Sequence, residues 1–110
     1  FLRRDVGQGG IVGAGLRAEA TRMKSDGHDR VLGRPTRFGL GFLLAQPTRK
    51  IGSDFSFGHF GYGGSLGFAD PACGLAFGYL MNRPGERWNN PRTNALIDAL
   101  YECLGGPTST

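Results

Sequence analysis

Residues 57–82 read FGHFGYGGSLGFADPACGLAFGYLMN, and this stretch sets the architecture of the chain. Phe57 to Phe60 has the aromatic content of a short strand and opens into a glycine-dense turn. Ser65 to Ala69 and Leu75 to Asn82 are two further apolar segments. Between them Asp70-Pro71-Ala72-Cys73-Gly74 pairs a proline with a glycine, the chemistry of a β-hairpin connection.

Outward from this core, the C-terminal side is a helix that needs a sheet to cover. Asn90 is a good N-cap and Pro91 suits the first helical position. Ala95, Leu96, Ile97, Leu100, Tyr101 and Leu104 form one apolar face before Gly105-Gly106-Pro107 ends the helix. Trp88, beside Asn89-Asn90, is expected to pack at the start of that helix or to touch a substrate.

On the N-terminal side, RFGLGFLLAQ, residues 37–46, is apolar and bounded by Pro35 and Pro47, which predicts one strand buried on both faces. Residues 47–56 are a polar connecting loop. Asp26-Gly27-His28-Asp29 reads as a turn. Leu16, Ala20 and Met23 recur at helical spacing, predicting a short amphipathic helix that ends near Ser25-Asp26-Gly27. Phe1 to Ala14, broken by four glycines, reads as loop. The sum is an α+β arrangement: three or four antiparallel strands followed by a covering helix, with no internal repeat and no domain boundary across residues 1–110.

Bulk composition narrows the function classes. A chain of 110 residues builds one compact unit or a piece of one. Its 20 glycines follow no collagen period and lie among apolar runs, so they mark turns and close backbone contacts. The net charge of +4 comes from thirteen basic residues scattered singly and in pairs, so no nucleic-acid surface is expected. No apolar run has the length of a membrane span. Cys73 and Cys103 fit neither a disulfide framework nor a metal spacing, and they predict free thiols in a reducing, cytoplasmic setting. His28 with Asp26 and Asp29 lacks the ligand count for a metal, and no cofactor is expected; Gly13-Ala14-Gly15-Leu16-Arg17-Ala18 matches a dinucleotide fingerprint without its buried strand.

The glycines at 58, 61, 63, 64 and 67 crowd around His59. Composition alone favours a plain glycine-rich β-turn with an exposed histidine. The same pattern also suits a polar site where bare backbone N–H groups approach a ligand closely.

The run GHFGYGGSLGFADPACGLAFGYLMNRP resembles the third conserved box of the β-lactamase-related serine hydrolases, a group of class C β-lactamases, D-Ala-D-Ala peptidases and family VIII carboxylesterases. Where that box is Lys-Thr-Gly, or His-x-Gly in esterase-like members, this chain has His59-Phe60-Gly61. The upstream phrases Asp29 to Gly33 and Arg37 to Phe42 resemble the segment before the box, so the likeness covers most of residues 27–104. The resemblance implies the C-terminal part of one such domain, with its strands in a β-lactamase/transpeptidase-like sheet.

It also implies an acyl-enzyme mechanism, in which the serine of a Ser-x-x-Lys helix attacks and a Tyr-x-Asn box helps move the proton. His59 would then line the pocket, Gly61 would let the strand pass close to substrate, and the Tyr62 amide would be one of two oxyanion donors. Phe60 and Gly63 would border the substrate. A histidine carries little charge at neutral pH, and Phe60 stands where a threonine donor is frequent, so neutral esters are expected over the carboxylate-bearing β-lactams and peptides.

Neither Ser-x-x-Lys nor Tyr-x-Asn occurs in these residues. Thr21-Arg22-Met23-Lys24 has the first spacing with threonine in place of serine, and it reads as coincidence. The expected partner is therefore the N-terminal part of the same enzyme, the chain being inactive by itself. The alternatives are a non-catalytic relic serving as a binding module, with strand faces covered by a partner or by self-association, and a β-lactamase or D-Ala-D-Ala peptidase.

Overall fold

The computed structural model describes residues 11–47, 51–86 and 90–105. Trp88 lies outside the described residues, as does most of the N-terminal loop. The elements run α1 (Ala14–Ala20), β1 (Ser25–Asp29), β2 (Arg34–Phe38), β3 (Leu43–Leu44), β4 (Phe57–Phe60), β5 (Leu66–Asp70), β6 (Leu75–Tyr79) and α2 (Pro91–Cys103). The strands form one antiparallel sheet in sequence order, β1 to β6. The α+β expectation holds, with six strands among the described residues where three or four were expected.

The differences lie in the N-terminal half. Residues 25–29, expected as helix end and turn, pair with β2 from Ser25 opposite Phe38 to Asp29 opposite Arg34. This polar strand is held by its backbone ladder and by Arg37 reaching Asp26 at 3.2 Å. The preceding helix stops at Ala20, its only buried residue, while Leu16 and Met23 stay exposed. The segment 37–46 is two strands, not one. Gly39 and the left-handed Gly41 (φ 82°) turn the chain between β2 and β3, and Leu40 N–H donates to Ala20 O at 2.8 Å. A Cβ at Gly39 would lie 2.4 Å from that carbonyl, so glycine admits the helix end against the turn.

The C-terminal half follows its sequence reading. In β4, β5 and β6, side chains alternate between two faces. Leu66 and Phe68 meet Ile51 and, from α2, Ile97 and Tyr101, with Phe60, Leu75, Phe77 and Leu100 packed around them. Phe68 stacks on Tyr101 with ring centroids 6.5 Å apart and meets Phe77 edge-on at 6.0 Å. Each such fully buried side chain stabilises the fold by about 1.5–3 kcal/mol. On α2 the inward residues are Thr93, Ile97 and Tyr101 with Leu100; Ala95, Leu96 and Leu104, expected on the apolar face, are exposed. Asn90 caps the helix as expected, accepting from Arg92 N–H at 3.0 Å and Thr93 N–H at 3.3 Å.

Candidate active site

Strand register decides what surrounds His59. Along β4, His59 stands opposite Gly67 of β5, and Gly67 stands opposite Gly78 of β6. Cross-strand partners share a face, so these three residues form one row on the side of the sheet away from α2. A Cβ on Gly67 or Gly78 would meet nothing within 4 Å. The imidazole is therefore exposed beside a bare backbone floor, with its centroid 6.1 Å from that of the Phe38 ring. Its Nδ1 lies 2.6 Å from Phe60 O, and since a carbonyl only accepts, that nitrogen donates in this contact.

After Phe60 the chain makes a tight reversal. Gly61 N–H donates to Ser65 O at 2.8 Å, and residues Tyr62–Gly64 form a single 3-10 turn between them. Gly61 itself has an ordinary extended backbone (φ −105°); a Cβ there would fall 2.1 Å from Ser65 Oγ, so a larger residue would have to turn that hydroxyl aside. Gly63 and Gly64 take φ of 85° and 114°, conformations that only glycine adopts readily. Tyr62 leads the turn, so its amide is among the N–H groups that a helical turn leaves without an internal partner. Its side chain is 77% exposed.

A shallow groove follows the glycine row, bordered by His59, Gly61, Ser65, Gly67, Gly78 and Leu80. His59 and Gly61 both border this groove, and Tyr62 is not among the residues that line it. Phe60 borders the groove but is half-buried and also packs against the core under the sheet. Gly63 is buried beneath the turn. The sequence reading named Gly67 among the glycines around His59 but not Gly78; the row they form is set by cross-strand register, which no local pattern carries. Cys73 and Cys103 are free and exposed, and among the described residues no group of His, Cys, Asp and Glu is arranged to hold a metal.

The model of the family described as Beta-lactamase matches residues 1–102. The chain belongs to the Beta-lactamase family. Among solved structures it is similar to EstA from Arthrobacter nitroguajacolicus Rue61a, at 30% identity and a TM-score of 0.79, covering 86% of this chain and 26% of that one. A family VIII carboxylesterase is 38% identical, with a TM-score of 0.74 over 84% of this chain and 26% of its own. A penicillin-binding protein homolog from Caulobacter crescentus is 35% identical, with a TM-score of 0.77 over 83% of this chain and 25% of its own. The chain thus spans about a quarter of these structures, a partial domain of a Beta-lactamase fold. No curated protein matches the sequence.

Proposed function

We propose that this Beta-lactamase-family chain supplies one wall of the active site of a serine hydrolase that acts through an acyl-enzyme on carboxylic esters. The observation that carries the reading is the glycine row beside His59, closed at one end by the turn Tyr62–Gly64. In this reading His59 lines the pocket and assists proton movement, and the Tyr62 amide donates to the developing oxyanion. Each such donor lowers the barrier by roughly 3 kcal/mol. The nucleophilic serine, its lysine and the Tyr-x-Asn box come from the upstream part of the same enzyme. Histidine in place of a permanent cation, with Phe60 beside it, favours neutral esters. The 38% identity to a family VIII carboxylesterase points the same way.

The reading frame upstream of Phe1 is expected to carry Ser-x-x-Lys and Tyr-x-Asn. The extended protein is expected to be labelled by a fluorophosphonate probe and to hydrolyse p-nitrophenyl esters faster than nitrocefin. Loss of both boxes from that frame would leave the alternative of a non-catalytic scaffold, while faster nitrocefin turnover would assign a β-lactamase.

A further inference from the structure

The turn that carries Tyr62 is built from residues with the least conformational preference, yet it is held from outside. Gly63 O accepts from Gly85 N–H at 2.8 Å and from Asn90 Nδ2 at 3.3 Å. Gly64 O accepts from Thr93 Oγ1 at 2.7 Å. The two side-chain donors, Asn90 as the N-cap of α2 and Thr93 in its first turn, are buried at 4% and 1% exposure. A Cβ on Gly64 would lie 2.9 Å from Asn90 Nδ2 and 2.9 Å from Thr93 Oγ1, so the glycine lets the helix end close onto the turn.

Asn90 has two separable jobs. Its Oδ1 caps α2, while its Nδ2 donates to Gly63 O and, at 3.0 Å, to Glu86 O. A carboxylate in its place keeps the cap and suits a helix N-terminus, but turns an acceptor toward two carbonyl oxygens. We propose that Asn90 and Thr93 are positioning residues: they clamp Gly63 and Gly64 and so hold in place the turn that begins with the Tyr62 amide. The catalytic consequence rests on the reading of that amide given above. A pair of adjacent glycines released from the clamp samples many conformations, and a donor displaced by even an ångström loses much of its effect on rate.

The test uses the full-length protein as wild type, Asn90→Asp, Thr93→Val and Thr93→Ser, comparing amide hydrogen exchange with steady-state hydrolysis of p-nitrophenyl butyrate. Asn90→Asp and Thr93→Val are expected to speed exchange across residues 61–66 roughly tenfold while residues 94–103 keep wild-type protection. Their kcat should fall about ten- to hundredfold with little change in KM, and Thr93→Ser should restore both. Wild-type exchange across 61–66 in both variants overturns the clamp, as does an equal loss of protection along the whole of α2. Faster exchange with unchanged kcat overturns the catalytic consequence and the Tyr62 assignment with it. A wild-type protein that hydrolyses no ester ends the functional reading instead, and the exchange data then decide the clamp alone.

Discussion

Tyr101 donates its hydroxyl hydrogen to Asp70 Oδ2 at 2.7 Å, tying the last turns of α2 to the end of β5. Asp70 is only 1% exposed, and its carboxylate also accepts from Ser53 N–H at 2.8 Å, Ser53 Oγ at 2.5 Å and Ala72 N–H at 3.1 Å. One buried side chain therefore joins the loop before β4, the β5–β6 hairpin and the covering helix. Tyr101→Phe removes one of the four donors and keeps the ring that stacks on Phe68, so it should cost about 1–2 kcal/mol. Asp70→Ala strands the remaining donors and should cost about 3 kcal/mol or more. Urea unfolding checks both; equal costs would mean that the carboxylate is not the hub.

The same cluster sets a pH window. Burial pushes the Asp70 carboxyl up, but the hydrogen bonds from Ser53, Tyr101 and Ala72 outweigh it and leave the group below its ordinary value of 3.8. The unfolded chain thus takes up this proton first on acidification. The Asp70 contribution is complete above the ordinary value and is lost as pH falls through the depressed one. Tyr101 is displaced upward from 10.0, by burial first and then by its bond to Asp70, so its contribution is present below 10.0 and is lost as pH rises toward the raised value. Unfolding free energy measured against pH should be flat near neutrality and fall at both ends. Tyr101→Phe should flatten the alkaline limb; an unchanged limb would assign it to other groups.

Gly52 and Gly74 share a left-handed backbone, with φ of 67° and 66°, but not a neighbourhood. A Cβ at Gly52 would fall 1.9 Å from Tyr101 Oη and 2.4 Å from Asp70 Oδ2, whereas one at Gly74 meets nothing within 4 Å. Gly74→Ala should therefore show the backbone cost alone, about 1–2 kcal/mol. Gly52→Ala adds overpacking of roughly 1–3 kcal/mol and displaces the Tyr101 hydroxyl. Thermal melts that rank the two alike would show that the loop shifts to make room.

Legibility followed the strength of the local signals. The β5–β6 hairpin and α2 were readable because Asp70-Pro71 with Gly74, and Asn90-Pro91, announce a turn and a cap next to apolar segments. β1 was missed because Ser25-Asp26-Gly27-His28-Asp29 has no apolar alternation; its place comes from pairing with β2, which no local pattern encodes. The break between β2 and β3 was signalled by Gly39 and Gly41, but the apolar run around them outweighed it. At the site, His59, Gly61 and Tyr62 were named from the motif they resemble. The contacts of Asn90 and Thr93 with Gly63 and Gly64 span 27 and 29 residues and required the fold.

His59 also gives a specificity prediction. On the proposed ester-hydrolase reading, His59→Lys in the extended protein places a permanent cation on the open face, where the side chain is exposed. Activity on neutral p-nitrophenyl esters should fall, and the ratio of carboxylate-bearing to neutral substrate turnover should rise by about tenfold or more. An unchanged ratio of kcat/KM values would place His59 away from the substrate.

Gly78 separates the groove from the fold. It lies in the row with His59 and Gly67, its backbone is not left-handed, and a side chain there would enter open space on the face away from α2. Valine is a better strand residue than glycine, so Gly78→Val should leave stability unchanged or raise it by up to about 1 kcal/mol. The same side chain fills the groove beside His59, where Leu80 forms part of the border. If the acyl chain of the substrate lies in that groove, butyrate and longer esters should lose about tenfold or more in kcat/KM, while acetate esters keep most of theirs. An equal loss for short and long chains, with stability intact, would move the acyl chain elsewhere and leave the groove to the alcohol side of the ester.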